Sequence, residues 1–353
     1  MFIQRLFDVI WRIWSTRLYS KKWGKSVAPI TSSSVKKLDL ITLGETMLRL
    51  SPPGINRIET STALEMHIGG AESNVAVALA RLGRWTMWWS RLPDNLLGRV
   101  VSEKLKAYGV DISGIRWVSN VRLGTYFVEF GSPPRSTQVI YDRANSAAST
   151  MTPDDFDWSL LDSARWVHLT GITPALSDSC RMTIQHALGQ AGQFQVPTSL
   201  DINYRARLWS AEQAAAILDP LAKQATYVII AERDAKTLFG IAGEPAEVTV
   251  RLSDRWHGAK VILTRGMQGA AGFDGDFHQA SAFAVANPIQ IGAGDAFAAG
   301  LIHALLDAQS LTEAMRYGCA TAALKLTMPG DLALISSGEV EHLLNAGGLG
   351  ISR

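Results

Sequence analysis

The chain has 353 residues, 47% hydrophobic and 19% charged, with a net charge of +2. That length allows one large α/β domain or two ordinary ones. Its two cysteines give neither a disulfide framework nor metal-ligand spacing, and no run of about eighteen apolar residues would make a transmembrane helix.

Residues 1–37 carry eight Lys/Arg and one acid, Asp8, a balance of +7 that leaves about −5 for the rest. The mildly acidic body argues against a nucleic-acid partner. Within the first fourteen residues, Ile3, Leu6, Phe7, Ile10, Trp11, Ile13 and Trp14 recur at helical spacing, opposite Arg5, Asp8 and Arg12. This stretch reads as a basic amphipathic extension: a membrane-surface or targeting helix, a partner-docking helix, or an appendage outside the fold.

From Leu38 apolar runs alternate with amphipathic ones. LDLITL (38–43) predicts a buried strand, and GGAESNVAVALARLG (69–83) a glycine turn into a helix that stops at Gly83. TMWWS predicts a strand and LGRVVSEKLKAYG a helix. GTYFVEFG (124–131) and STQVIYDR (136–143) predict a hairpin-like excursion. Alternation resumes with ARWVHLTG, a helix from Ser177, PTSLDIN, a helix from Ser210, TYVIIA and further helix. KVILTRG and AAGFDGDF predict strands, and the chain after Gly292 reads as mostly helix. This pattern predicts an α/β fold whose mostly parallel sheet is covered on both faces, with ligands at the carboxyl ends of its strands.

Four constellations carry chemistry. Gly292-Ala293-Gly294-Asp295 opens a helical run; crowded N–H groups and the helix dipole make an anion site, and the carboxylate beside them suits a proton acceptor. Taken alone, an Asp after Gly at a helix start usually reads as just a cap. Gly69-Gly70-Ala71-Glu72-Ser73-Asn74 allows close backbone approach, and Asn74 suits hydroxyl groups, or the run is a helix entry with a capping Asn. Asp201-Ile202-Asn203-Tyr204-Arg205 follows a strand, and its Arg suits a carboxylate or stands free on the surface. Tyr141-Asp142-Arg143, with Tyr126 on the neighbouring strand, suits an acidic sugar or a solvated sheet face. There is no GxxxxGK[ST] and no GxGxxG after the first strand.

The order GGAESN, GTYFVEF, YDRANSA, DINYRARLW, VILTRGMQGA, GAGDAFAAG resembles the PfkB/ribokinase family across about residues 38–345. DINYRARLW and KLTMPGD (325–331) point to its 2-keto-3-deoxygluconate kinase branch. The resemblance implies a ribokinase-like three-layer α/β/α sandwich with a small β lid from about 48–68 and 120–146, a tail at 346–353, a cytoplasmic location and a homodimer paired through the lid. It implies Asp295 as the base and the Gly292, Ala293 and Gly294 amides as the anion hole. Gly70, Asn74, Tyr126, Tyr141, Arg143 and Arg205 would bind the sugar acid. Asn203, Thr264, Arg265, Gly266, Gly269 and Ala270 would bind ATP. The implied reaction moves the γ-phosphoryl of Mg·ATP onto the 6-hydroxyl of 2-keto-3-deoxygluconate. Alternatives are a kinase for another sugar such as fructose, or a catalytically weak homologue with a binding role.

Two departures stand out. Where the family has Asn-x-x-Glu, helping to organise Mg²⁺, this chain has Ala231 and Asp234, which leaves Asp234 a weak, indirect metal contact. Where many members have an Asp three residues before the first Gly, associated in some with a monovalent cation, this chain has Ile289, which argues against that ion.

Overall fold

The computed structural model describes residues 38–346 except 133, 287 and 290. The N-terminal extension and the tail at 347–353 lie outside the described residues. No helix among the described residues is long and apolar enough to cross a membrane.

A nine-stranded sheet runs in the order β13-β12-β11-β10-β9-β8-β1-β4-β5. Its strands are β1 (Leu40–Leu43), β4 (Thr86–Pro93), β5 (Ile115–Val118), β8 (Val167–Thr170), β9 (Thr198–Asp201), β10 (Tyr227–Ala231), β11 (Lys260–Thr264), β12 (Ala270–Phe273) and β13 (Phe277–Ala280). All pair in parallel except β12 and β13, an antiparallel hairpin at one edge. Leu40–Leu43 and Val167–Thr170 are buried at every position, as a strand covered on both faces must be.

Helices α1 (Ala71–Arg81), α2 (Leu96–Ala107), α3 (Asp178–Gln193), α4 (Ala211–Ala222), α5 (Glu232–Phe239), α6 (Pro245–Arg255), α7 (Ala293–Leu306), α8 (Leu311–Leu326) and α9 (Ser337–Ala346) complete the layers. One apolar cluster joins Leu43, Leu169, Ile184, Leu218 and Trp256; a second joins Leu40, Leu79, Ile262, Phe297, Leu301 and Met315 on the opposite face. Helix starts follow local chemistry. Ser177 Oγ accepts from the Cys180 amide at 3.1 Å, and Ser210 forms a reciprocal box with Gln213.

A second sheet has the order β3-β2-β6-β7, with β2 Met47–Ser51, β3 Glu65–Gly69, β6 Thr125–Glu129 and β7 Gln138–Asp142. The predicted excursion is the antiparallel β6–β7 pair, while β2 joins β6 in parallel.

In the large sheet β1 lies between β8 and β4. The chain therefore leaves β1 toward one side first and the other later, opening a crevice at the carboxyl ends of β1 and β8. The small sheet stands over that crevice, so the residues that leave β1, β8 and β9 face it.

Candidate active site

The crevice begins with a backbone crossing. Gly70 caps α1, and an added Cβ there would fall 2.1 Å from the Glu45 carbonyl oxygen, so the crossing requires glycine. Thr46 donates to Ser73 Oγ at 2.6 Å, and Ser73 donates to the Gly70 carbonyl at 3.0 Å. With the entry pinned, the buried Asn74 sits one turn into the helix. It does not act as the N-cap: its Nδ2 donates to Asp295 Oδ2 at 2.7 Å, across 221 residues of sequence.

Asp295 lies in the first turn of α7. Gly292, the cap, adopts φ +76, and its backbone passes so near Asp331 that an added Cβ would stand 2.1 Å from that residue's carbonyl oxygen. No side chain caps this helix, which leaves its first N–H groups for another acceptor. Burial raises the Asp295 pKa, while the Asn74 hydrogen bond and the charges of Arg205 and Lys325 oppose the rise.

A cavity of about 250 Å³ opens onto this carboxylate, and Gly70, Asn74, Tyr126, Tyr141, Arg143, Arg205 and Gly292 line it with Asp295. The predicted sugar-site residues therefore share one wall-to-wall space, in different electrostatic states. Arg143 is engaged by Glu45, to which its Nε and Nη2 donate at 2.8 and 2.5 Å; Ser146 donates to the other Glu45 oxygen at 2.5 Å. Arg205 is exposed and makes no ion pair among the described residues. Tyr126 is buried, donates to Asp331 Oδ1 at 2.7 Å and stacks on Tyr141 with centroids 5.8 Å apart. Asp331 also pairs with the buried Arg49, Nη1 to Oδ2 at 2.7 Å.

Glu45 lies in none of the motifs read from the sequence, and Glu72, Asp201 and Asp331 lie in such motifs without a role assigned to them. Glu72 and Asp201 are buried, and burial lifts each to about 7. Glu72 Oε1 accepts from Thr170 and Thr173, both at 2.7 Å. A charged residue at or just past the end of a strand, as in ITLGE and SLD, is the signal that marks Glu45 and Asp201.

A second cavity, about 420 Å³, lies across the N-terminus of α7. Thr264, Gly266, Gly269, Ala293 and Gly294 line it with apolar Phe297, Ala322, Ala323 and Leu326. Three residues predicted for the nucleotide do not face it. Arg265 turns to Glu232 at 3.1 Å and Gln268 at 2.6 Å; Ala270 is buried in β12; Asn203, at φ +41, lies on the loop after β9. The two cavities meet at one helix start, with Gly292 and Asp295 on one side and Ala293 and Gly294 on the other.

Beside this junction Ala231 begins α5 with no side-chain cap. Asp234 is buried, and its carboxylate accepts from Arg233 Nε at 3.2 Å. Burial raises its pKa, against the charge of Arg233. No group of three His, Cys, Asp or Glu among the described residues is arranged to cage a metal.

The pfkB family carbohydrate kinase profile matches residues 37–336. The chain belongs to that family. As a pfkB carbohydrate kinase it is an enzyme of the sugar kinase type, with the ribokinase-like α/β fold. It is 40% identical over 316 residues to 2-dehydro-3-deoxygalactonokinase of Haloferax volcanii, covering 89% of this chain and 99% of the relative. It is 33% identical over 315 residues to 2-dehydro-3-deoxygluconokinase of Thermoproteus tenax, covering 88% and 95%. The crystal structure of 2-dehydro-3-deoxygluconokinase from Thermotoga maritima superposes with a TM-score of 0.82 at 34% identity, over 87% of this chain and 99% of that one.

Proposed function

We propose that this pfkB kinase transfers the γ-phosphoryl of Mg·ATP to the terminal hydroxyl of a 2-keto-3-deoxy sugar acid, 2-keto-3-deoxygluconate or its galactonate epimer. One observation carries the reading: Arg205, a cation with no ion-pair partner among the described residues, lines the same cavity as the buried carboxylate at the α7 N-terminus. A neutral sugar leaves that cation unused; a carboxylate pairs with it. The names of the Haloferax, Thermoproteus and Thermotoga relatives support the same substrate class.

The sugar occupies the cavity under the small sheet, its hydroxyls toward Gly70 and Asn74, its acid end toward Arg205 and Arg143, and its reacting hydroxyl at Asp295. The nucleotide occupies the neighbouring cavity, with Thr264, Gly266 and Gly269 along it. Asp295 takes the hydroxyl proton as the oxygen attacks phosphorus. The amides of Gly292, Ala293 and Gly294 hold the negative charge that gathers on the phosphoryl oxygens. Asn74, donating to one Asp295 oxygen, leaves the other for the substrate. The donor set fits magnesium carried in by the phosphates, since that ion takes one or two carboxylates and keeps its waters. Asp234 would hold it through water, and bound there it would neutralise phosphate charge.

A coupled ADP-release assay over sugar acids and neutral sugars tests the reading. Turnover is expected with carboxylated keto-sugars, and the two epimers compared side by side assign the stereochemistry. Asp295→Asn should remove most turnover while ATP still binds. Arg205→Ala should raise KM for carboxylated substrates, by about tenfold or more if the pair contributes the 1.5–3 kcal/mol of a charged hydrogen bond. Efficient turnover of fructose by the wild-type chain, or an equal KM rise for neutral sugars, would refute it.

A further inference from the structure

Lys325 lies in the last turn of α8 and is completely buried, with 0% of its surface exposed. A buried ammonium is costly unless its charge is used or compensated. Here no carboxylate lies within ion-pair distance among the described residues, and its Nζ donates to one acceptor, the Met328 carbonyl, at 3.1 Å. Two of its three N–H groups therefore have no acceptor among the described residues.

The side chain ends beneath the phosphoryl-transfer corner. Lys325 Cε is 3.3 Å from where a Cβ on Gly292 would stand, closer than ordinary van der Waals contact, and the Asp331 carbonyl oxygen stands 2.1 Å from that same point. The charge thus lies against the Gly292 turn that starts α7, where residues lining the two cavities meet. The charged or titratable groups that act on Asp295 come from four places: Glu72 from α1, Asp201 and Arg205 from the end of β9, Lys325 from α8, and Asp331 from the segment after it. Three of these are carboxylates. Of the two cations Arg205 faces the substrate cavity, which leaves Lys325 as the cation set behind the corner.

We propose that Lys325 is a positioning residue for phosphoryl transfer: its ammonium, sealed under the Gly292 turn, holds that turn in place and supplies fixed positive potential to the Asp295 carboxylate and to the charge that gathers at the α7 N-terminus. The inference rests on Asp295 being the base. Burial lowers the Lys325 pKa and the Arg49 charge adds to that, while Asp331 and Asp295 counter it, as groups sharing one low-dielectric region do. A preorganised charge of this kind costs nothing to reorient during the reaction.

The test is Lys325→Met in the full chain, which keeps the stem's length and removes the charge. The kcat of ADP release should fall by about tenfold or more, with KM for sugar acid and ATP within about twofold. The acid limb of the kcat–pH profile should move upward by about one unit, because Asp295 loses a cation that favours its ionised form. The position of that limb does not depend on how much protein is folded, so a poorly folding variant still answers. In Lys325→Ala, ammonium chloride should restore kcat saturably where choline chloride does not. An unmoved acid limb with no ammonium rescue overturns the proposal if Asp295→Asn is inactive; an active Asp295→Asn overturns the base assignment instead.

Discussion

Replacing Glu72 by Gln is expected to stabilise this enzyme at alkaline pH and to do little in acid. Glu72 is buried on α1, and its carboxyl packs so tightly on Gly44 that an added Cβ there would lie 2.1 Å from Glu72 Cδ. Burial outweighs the two threonine hydrogen bonds and lifts its pKa from 4.5 to about 7. The sign follows from linkage: a group raised on folding contributes stability that is fully present below about 4.5 and is lost as the pH rises through about 7. A shift of about two and a half units corresponds to roughly 3–4 kcal/mol at about 1.4 kcal/mol per unit, most of it appearing between pH 5 and 8. Gln keeps an oxygen toward Thr170 and Thr173 and mimics the protonated acid. Urea unfolding should therefore show Glu72→Gln ahead of wild type by roughly 2–3 kcal/mol at pH 8 and by less than about 1 kcal/mol at pH 5. A gain equal at both pH values, or a loss at pH 8, would refute the assignment of a raised acid at this position.

Two further substitutions probe the same framework. Gly292→Ala places a Cβ at φ +76 and against the Asp331 carbonyl, so it should cost about 1–3 kcal/mol and displace the α7 amides; kcat should fall at least tenfold with ATP binding retained, as read by steady-state kinetics and calorimetry. Tyr126→Phe removes the donor to Asp331 and strands part of a buried carboxylate, so unfolding at neutral pH should show a loss of about 1–3 kcal/mol.

Much of the large sheet was legible because buried parallel strands read as short apolar runs and helices announce their starts. VHLT and YVIIA became β8 and β10, and Ser177 and Ser210 cap helices as their spacing predicts. The hairpin at 124–143 was also readable. Its parallel pairing with β2 was not, since Leu48 meets Thr125 only through the tertiary fold. The candidate site divides in the same way. Glycine-rich helix entries such as GGAESN and GAGD carry their geometry in the local sequence, and so point to Gly70, Asn74 and Asp295. Partnerships do not. Arg143 and Glu45 are 98 residues apart, and Tyr126 and Asp331 are 205 apart. Arg265 illustrates the cost: its place in VILTRG suggests a nucleotide contact, yet Glu232 lies within reach and takes the guanidinium.

These long-range partners change how the cavity selects its substrate. Glu45 is 2% exposed and holds Arg143 through two of its five N–H groups, and Ser146 holds the other Glu45 oxygen. Driving Glu45 away from Arg143 would leave a buried carboxylate with only a hydroxyl for company, a penalty of several kcal/mol that one substrate contact does not repay. On the proposed reading, a substrate carboxylate would therefore meet Arg143 with Glu45 still in place, at the N–H groups not used by Glu45, beside a pair whose net charge is already near zero. Arg143 can then orient the acid through hydrogen bonds but contributes little attraction. Arg49 is neutralised likewise by Asp331, and Lys325 lies beneath the backbone rather than in the cavity. On the same proposed reading, net attraction for an anionic sugar would fall to Arg205, so its removal should raise KM chiefly for charged substrates, with a larger effect at low ionic strength, where an exposed charge is least screened.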